Sequence, residues 1–145
     1  MRYLNTVLSL YFVLLSSPLT YAHDRVLHYR PAEVELSGVL DLQTFPGLPH
    51  YESIASGDEP ERHFYLKLDA PVDVLPQRGD HIDNPEVEKN VKIVQLAING
   101  EDEVLWSRFR HAGRGAHVSI TGNLFHRFTG HHHSRVLLTV DKLKN

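Results

Sequence analysis

His131-His132-His133 is a run of three imidazoles in a chain of 145 residues, and six of the eleven histidines fall between His111 and His133. Neutral imidazole is the commonest metal ligand and titrates near neutral pH. Alternate side chains of an extended segment share a side, so His131 and His133 can face one way while His126 or His117 approaches. An all-imidazole set, with or without a carboxylate, suits zinc or copper. The metal candidates are therefore His126, His131 and His133. The tract lacks a second fixed pair of ligands. The competing reading is an exposed turn whose histidines meet solvent or a neighbouring loop.

Two further sets carry reactive groups. Tyr51, Glu52, Asp58 and Glu59 lie in one polar stretch that also contains Glu61. Paired carboxylates can do acid–base work, but nothing in their spacing places them on one surface. Ser53 or Ser119 can be joined to a histidine and an aspartate on paper, yet neither has the glycine pattern of a nucleophile elbow. The other set is Phe125, Arg127 and Arg135, with Phe128 beside them. Aromatic and guanidinium side chains stack on sugars, bases or peptide rings. Alternatively, Phe125 and Phe128 plug one end of the domain.

These side chains need strands to hold them. From Glu33 to Gln43 the chain alternates, with Val34, Leu36, Leu40 and Leu42 on one side and charged or polar residues on the other. Period two marks a strand with one buried face. Phe45 to Arg62 contains Pro46, Gly47, Pro49 and Gly57-Asp58-Glu59-Pro60, and reads as a long loop with no regular structure at its start. His63 to Leu68 alternates again, and Pro71 to Pro76 extends or ends that strand. Gln77 to Glu88 is polar and reads as a second loop. Val91 to Ile98 is a continuous apolar strand. Glu101 to His111 is the helix candidate, acidic in its first turn and basic in its last, with Gly113 and Gly115 beyond it.

Gly115 to Val140 then reads as two strands joined by a glycine–histidine turn. Pairing Ile120 with Val140, Gly122 with Leu138 and Leu124 with Val136 puts their side chains on one face. The turn would be Thr129-Gly130-His131, with Gly130 at positive φ, Arg127 opposite His133 and Phe125 opposite Arg135. The order strand, strand, strand, helix, strand, strand is that of an OB-fold, a five-stranded barrel with a helix between strands three and four. An internal echo supports it: Val34-Glu-Leu-Ser-Gly-Val-Leu40 recurs as Val118-Ser-Ile-Thr-Gly-Asn-Leu124. A mid-strand glycine lets each of these two strands bend to serve both halves of a barrel. The fold class expected is thus mainly β.

The first residues read as a secretory leader. Arg2 precedes the apolar run Val7–Leu15, Ser16-Ser17-Pro18 breaks it, and Thr20-Tyr21-Ala22 offers a cleavage site. The apolar run is shorter than the roughly 20 residues a membrane span needs. Residues 1–22 would be the leader, 23–32 an extended lead-in and 33–145 one OB-like barrel domain. Losing the leader removes one charge, Arg2, and takes the net charge from −3 to −4. An acidic balance argues against general nucleic-acid binding, which depends on neutralising phosphates. The absence of cysteine excludes disulfides, thiol catalysis and thiolate metal sites.

Several blocks together resemble a bacterial exported family known only as a domain of unknown function. They are Phe45-Pro46-Gly47, Tyr51-Glu52-Ser53-Ile54, Gly57-Asp58-Glu59-Pro60-Glu61, Leu66–Pro71, Thr121–His126, Thr129–His133 and Val136-Leu137-Leu138. The resemblance implies a small periplasmic domain and brings no activity, substrate or ligand. Relatives often carry a cysteine where this chain has Asp73. The sequence thus points to a periplasmic or secreted, non-catalytic cell-envelope binding module for an unidentified ligand or protein. A zinc- or copper-binding protein is the alternative and an uncharacterised enzyme the second alternative.

Overall fold

The structure, a computed structural model, describes residues 25–77 and 86–144; the leader expected at 1–22 lies outside the described residues. The elements run β1 (Arg25–His28), β2 (Glu33–Pro46), β3 (Pro60–Leu75), β4 (Glu88–Ala97), α1 (Glu103–Ala112), β5 (His117–His126) and β6 (Val136–Lys144). A 3-10 turn at Ile54–Ser56 lies between β2 and β3. Five strands close a barrel. β2 pairs antiparallel with β3, β3 with β4, and β4 in parallel with β6. β6 then pairs antiparallel with β5, and β5 with β2. The helix joins the third and fourth barrel strands, as the order of apolar segments predicts. No helix among the described residues is long and apolar enough to cross a membrane.

The alternating positions behave as expected. Leu36, Leu40, Leu66, Val94, Ile120 and Leu138 are all buried in one core cluster. Each such side chain contributes about 1.5–3 kcal/mol on leaving water. Asp102 caps α1 by accepting a hydrogen bond from the Leu105 N–H at 2.8 Å, and Leu105 and Phe109 turn inward. The lead-in is a strand: β1 lies parallel to Val72–Leu75. It carries Leu27 into the core, and Tyr29 follows just beyond its end.

The two echoed glycines sit at matched places in the β2–β5 pair, Gly38 opposite Val118 and Gly122 opposite Val34. A Cβ on Gly38 would fall on the Lys67 carbonyl oxygen of β3, and one on Gly122 on the Thr139 carbonyl oxygen of β6. Neighbouring backbone occupies the space a side chain would need.

Two expectations are corrected. Phe45 and Pro46 belong to β2, paired with Glu61 and Pro60; Pro46 is tolerated because it ends the strand. The β5–β6 register is two residues off the one expected, with Gly122 opposite Val140, Leu124 opposite Leu138 and His126 opposite Val136. A slip of two keeps every side chain on its face, so alternation alone cannot distinguish the registers. A bulge at Thr121/Gly122 accompanies the shift. Phe125 consequently faces Leu137, and the Arg127 N–H donates to the Arg135 carbonyl at 3.1 Å.

Candidate functional site

Spaced two apart near the start of β3, Glu61 and His63 share one side of the strand with Tyr65. Phe64 and Leu66 alternate with them and point into the core cluster, to which Tyr65 does not belong. The Glu61 side is therefore the outer wall of the barrel. The β5–β6 loop, residues 127–135, folds over this wall, burying Tyr65, Phe125 and Leu137 outside the main core.

Gln95 of β4, only 2 % exposed, holds the loop in place. Its Nε2 donates to the His131 carbonyl at 2.7 Å. Its Oε1 accepts the N–H groups of His133 at 2.7 Å and Ser134 at 3.3 Å. The loop turns at Thr129–His132, where the His132 N–H donates to the Thr129 carbonyl. Gly130 does not adopt positive φ; it lies against the Tyr51 ring. His132 packs edge-on against Phe125 and Phe128, and its Nδ1 accepts the N–H groups of Phe128 and Thr129. Burial disfavours its charged form and lowers its pKa.

The loop delivers His131 and His133 to Glu61. His133 Nε2 lies 2.6 Å from Glu61 Oε1, and His131 Nδ1 lies 2.7 Å from Glu61 Oε2. His63 Nε2 comes within 3.1 Å of Glu61 Oε1, yet it is buried and out of line for a hydrogen bond. The Phe45 ring stacks on His133, with centroids 4.1 Å apart and planes at 5°. The Tyr51 hydroxyl meets His131 Nε2 at 2.9 Å, and in the neutral tautomer the phenol donates and the imidazole accepts. Burial alone would raise the Glu61 carboxyl; the imidazoles of His133, His63 and His131 around it outweigh burial and bring the pKa to about 2. Glu61, His63 and His133 each offer one ligand atom, all within 4.8 Å of one another. A half-open groove of about 230 Å³ beside them is lined by His63, Gln95, Trp106, His131 and His132.

The β2–β3 loop aims Tyr51. Asp58, buried, accepts the N–H groups of His50 at 3.0 Å and of Glu52 and Ser53 at 2.8 Å. The bonds from Ser53 and then Glu52 and His50 outweigh burial and hold its pKa at about 2. Tyr51 sits at φ 60°, a region a bulky residue rarely adopts. Asp58 thus shapes the loop, and the Glu52 and Glu59 side chains are exposed.

The remaining candidates go elsewhere. His126 does not join His131 and His133; it faces Glu88 at 3.2 Å. Arg135 bonds the other oxygen of Glu88 at 3.2 Å. Phe125 is 6 % exposed and packs against Phe128 and His132 as padding under the loop. Arg127 is exposed. His117 pairs with Asp69, away from the cradle. Glu61, His63 and Gln95 are what sequence reasoning missed. The available signal was Glu-x-His at strand spacing, which puts a carboxylate and an imidazole on one face.

Residues 93–144 match the family model of a domain of unknown function, DUF4431. That stretch runs from within β4 through α1, β5 and the histidine loop to the end of β6. It contains Gln95, His131 and His133, while Phe45, Tyr51, Glu61 and His63 lie before it. No match to the chain is found among curated proteins.

Proposed function

We propose that this protein is an exported, non-catalytic binding module whose Glu61 cradle holds a divalent transition-metal ion, zinc or copper. The observation that carries the reading is the convergence of one Glu61 oxygen, His63 Nε2 and His133 Nε2 within 4.8 Å. One carboxylate and two imidazoles are a common donor set for such ions. In a tetrahedral shell with bonds of 2.0–2.1 Å, neighbouring donors stand about 3.3 Å apart. Contacts of 2.6 and 3.1 Å need only a small opening to admit the ion. His131, bonded to the second carboxylate oxygen and backed by Tyr51, would orient Glu61 from outside the shell.

The location supports a binding role. In OB-folds ligands lie on the face of the second and third barrel strands, between the loops joining strands one to two and four to five. Here the cradle lies on β3 and β4, between residues 47–59 and 127–135. The strand order and the helix position support the OB-like reading too. Ser119 Oγ is bonded to Ser37 and Glu35, not to a histidine, which favours binding over nucleophilic catalysis. The leader-like residues 1–22 support export.

Isothermal titration of the folded wild type with zinc and copper tests the reading. Saturable binding near one ion per cradle, at least tenfold weaker in a His63→Ala/His133→Ala variant, is expected. Wild-type protein that binds neither ion, or a variant that binds as well as wild type, rules it out.

A further inference from the structure

A second cluster lies at the base of the same loop, where β4 starts and β5 ends. His126 Nε2 stands 3.2 Å from Glu88 Oε1 and 3.7 Å from Glu86 Oε2. These three donor atoms all lie within 4.8 Å of one another. The two measured separations bracket the roughly 3.3 Å between neighbouring ligands in a tetrahedral shell. We propose that Glu86, Glu88 and His126 form a second divalent-cation site, distinct from the Glu61 cradle, for a first-row ion such as manganese or zinc.

Two features beyond the donor set point to a ligand. First, His126 Nδ1 lies 3.2 Å from the Arg127 carbonyl. A carbonyl only accepts, so Nδ1 carries a proton, and the ring turns its Nε2 toward two carboxylates. A cation bound there would sit between Nε2 and the two negative oxygens. Backbone fixation of the far nitrogen is the usual way proteins orient a metal-bound histidine. Second, Tyr29 is fully buried and its hydroxyl has no hydrogen-bond partner among the described residues. Its ring meets the His126 ring edge-on at 6.4 Å, and the Glu88 and Glu86 charges act on it. A buried hydroxyl without a partner is costly, and an ion or its bound water would give it one. Arg135 takes the outer oxygen of Glu88. The donors therefore carry two negative charges, one of which Arg135 already balances. A divalent ion fits with a net gain in compensation, and two carboxylates with one imidazole favour manganese or zinc over copper.

Native mass spectrometry of the full mature chain, loaded with manganese or zinc, is the test. Two variants separate the sites: Glu86→Gln/His126→Asn for this one and Glu61→Gln for the cradle. Wild type should carry two zinc ions, and each variant one. Manganese should be lost from the first variant and kept by the second. Tyr29→Phe guards against misfolding as an explanation. It removes a hydroxyl that has no partner among the described residues, so the metal-free melting temperature should hold or rise, while affinity at this site should fall about tenfold. An unchanged ion count in Glu61→Gln, with one ion lost from Glu86→Gln/His126→Asn, would sink the proposed function and leave this inference standing. Unchanged ion counts in Glu86→Gln/His126→Asn, or wild-type affinity in Tyr29→Phe, overturn it, and the Nε2 environment is then a protonated ion pair.

Discussion

Asp58 and Glu61 lie three residues apart in the sequence and do different work. Both carboxyls are held near a pKa of 2, one by backbone N–H groups and the other by imidazoles. The folded state therefore prefers the ionised form of each. Their stabilising contribution is complete above the unfolded pKa, close to 4, and is lost as the pH falls toward 2. Wild type should show a falling melting temperature across that window. Asp58→Asn should start lower at neutral pH and fall less, because its amide NH2 turns a donor toward backbone donors. Parallel pH profiles of the two proteins would refute the assignment. At this scale His131 and His133 stood out by residue type alone, and the fold brings both to Glu61. Asp58 was singled out for its charge, but only the fold reveals that its charge is consumed by the loop's own N–H groups. Glu61 was overlooked as one acid among several because its partners arrive from 70 and 72 residues away.

Between elements, Gln95 ties β4 to the β5–β6 loop and so connects the register to the site. Gln95→Leu would leave the His133 and Ser134 N–H groups and the His131 carbonyl without their partner. Leaving such groups unsatisfied costs about 2–4 kcal/mol in total. Chemical denaturation should show this loss, and titration a weaker zinc affinity, because the loop no longer presents His133. An effect on stability with unchanged affinity would mean that the loop is held by other contacts. The paired glycines make a sharper case. Gly122→Val should destabilise by about 3 kcal/mol or more, because its Cβ meets the Thr139 carbonyl. Ser119→Val, on the outer side, should stay within about 1 kcal/mol. Equal effects would contradict the close approach of the strands. The glycine echo was legible in the sequence as a bend; the backbone that occupies the space belongs to β3 and β6 and was not. The two-residue register error has the same source. Alternation states which face is inward, while the pairing is set by a bulge and by a glutamine on another strand.

Over the whole molecule, the order of apolar segments was enough to anticipate a closed barrel with its helix between the third and fourth strands. The packing of β1 beside β3 was not, since Arg25–His28 is too short to show a period. The central claim is that this barrel wall, roofed by residues 127–135, holds a metal ion at Glu61. The most direct test is X-ray diffraction from zinc-loaded crystals, recorded above and below the zinc absorption edge. The account predicts an anomalous peak about 2.0–2.2 Å from a Glu61 oxygen, His63 Nε2 and His133 Nε2. A fully loaded protein with no peak at that position, and an undisturbed Glu61–His133 hydrogen bond, would contradict it.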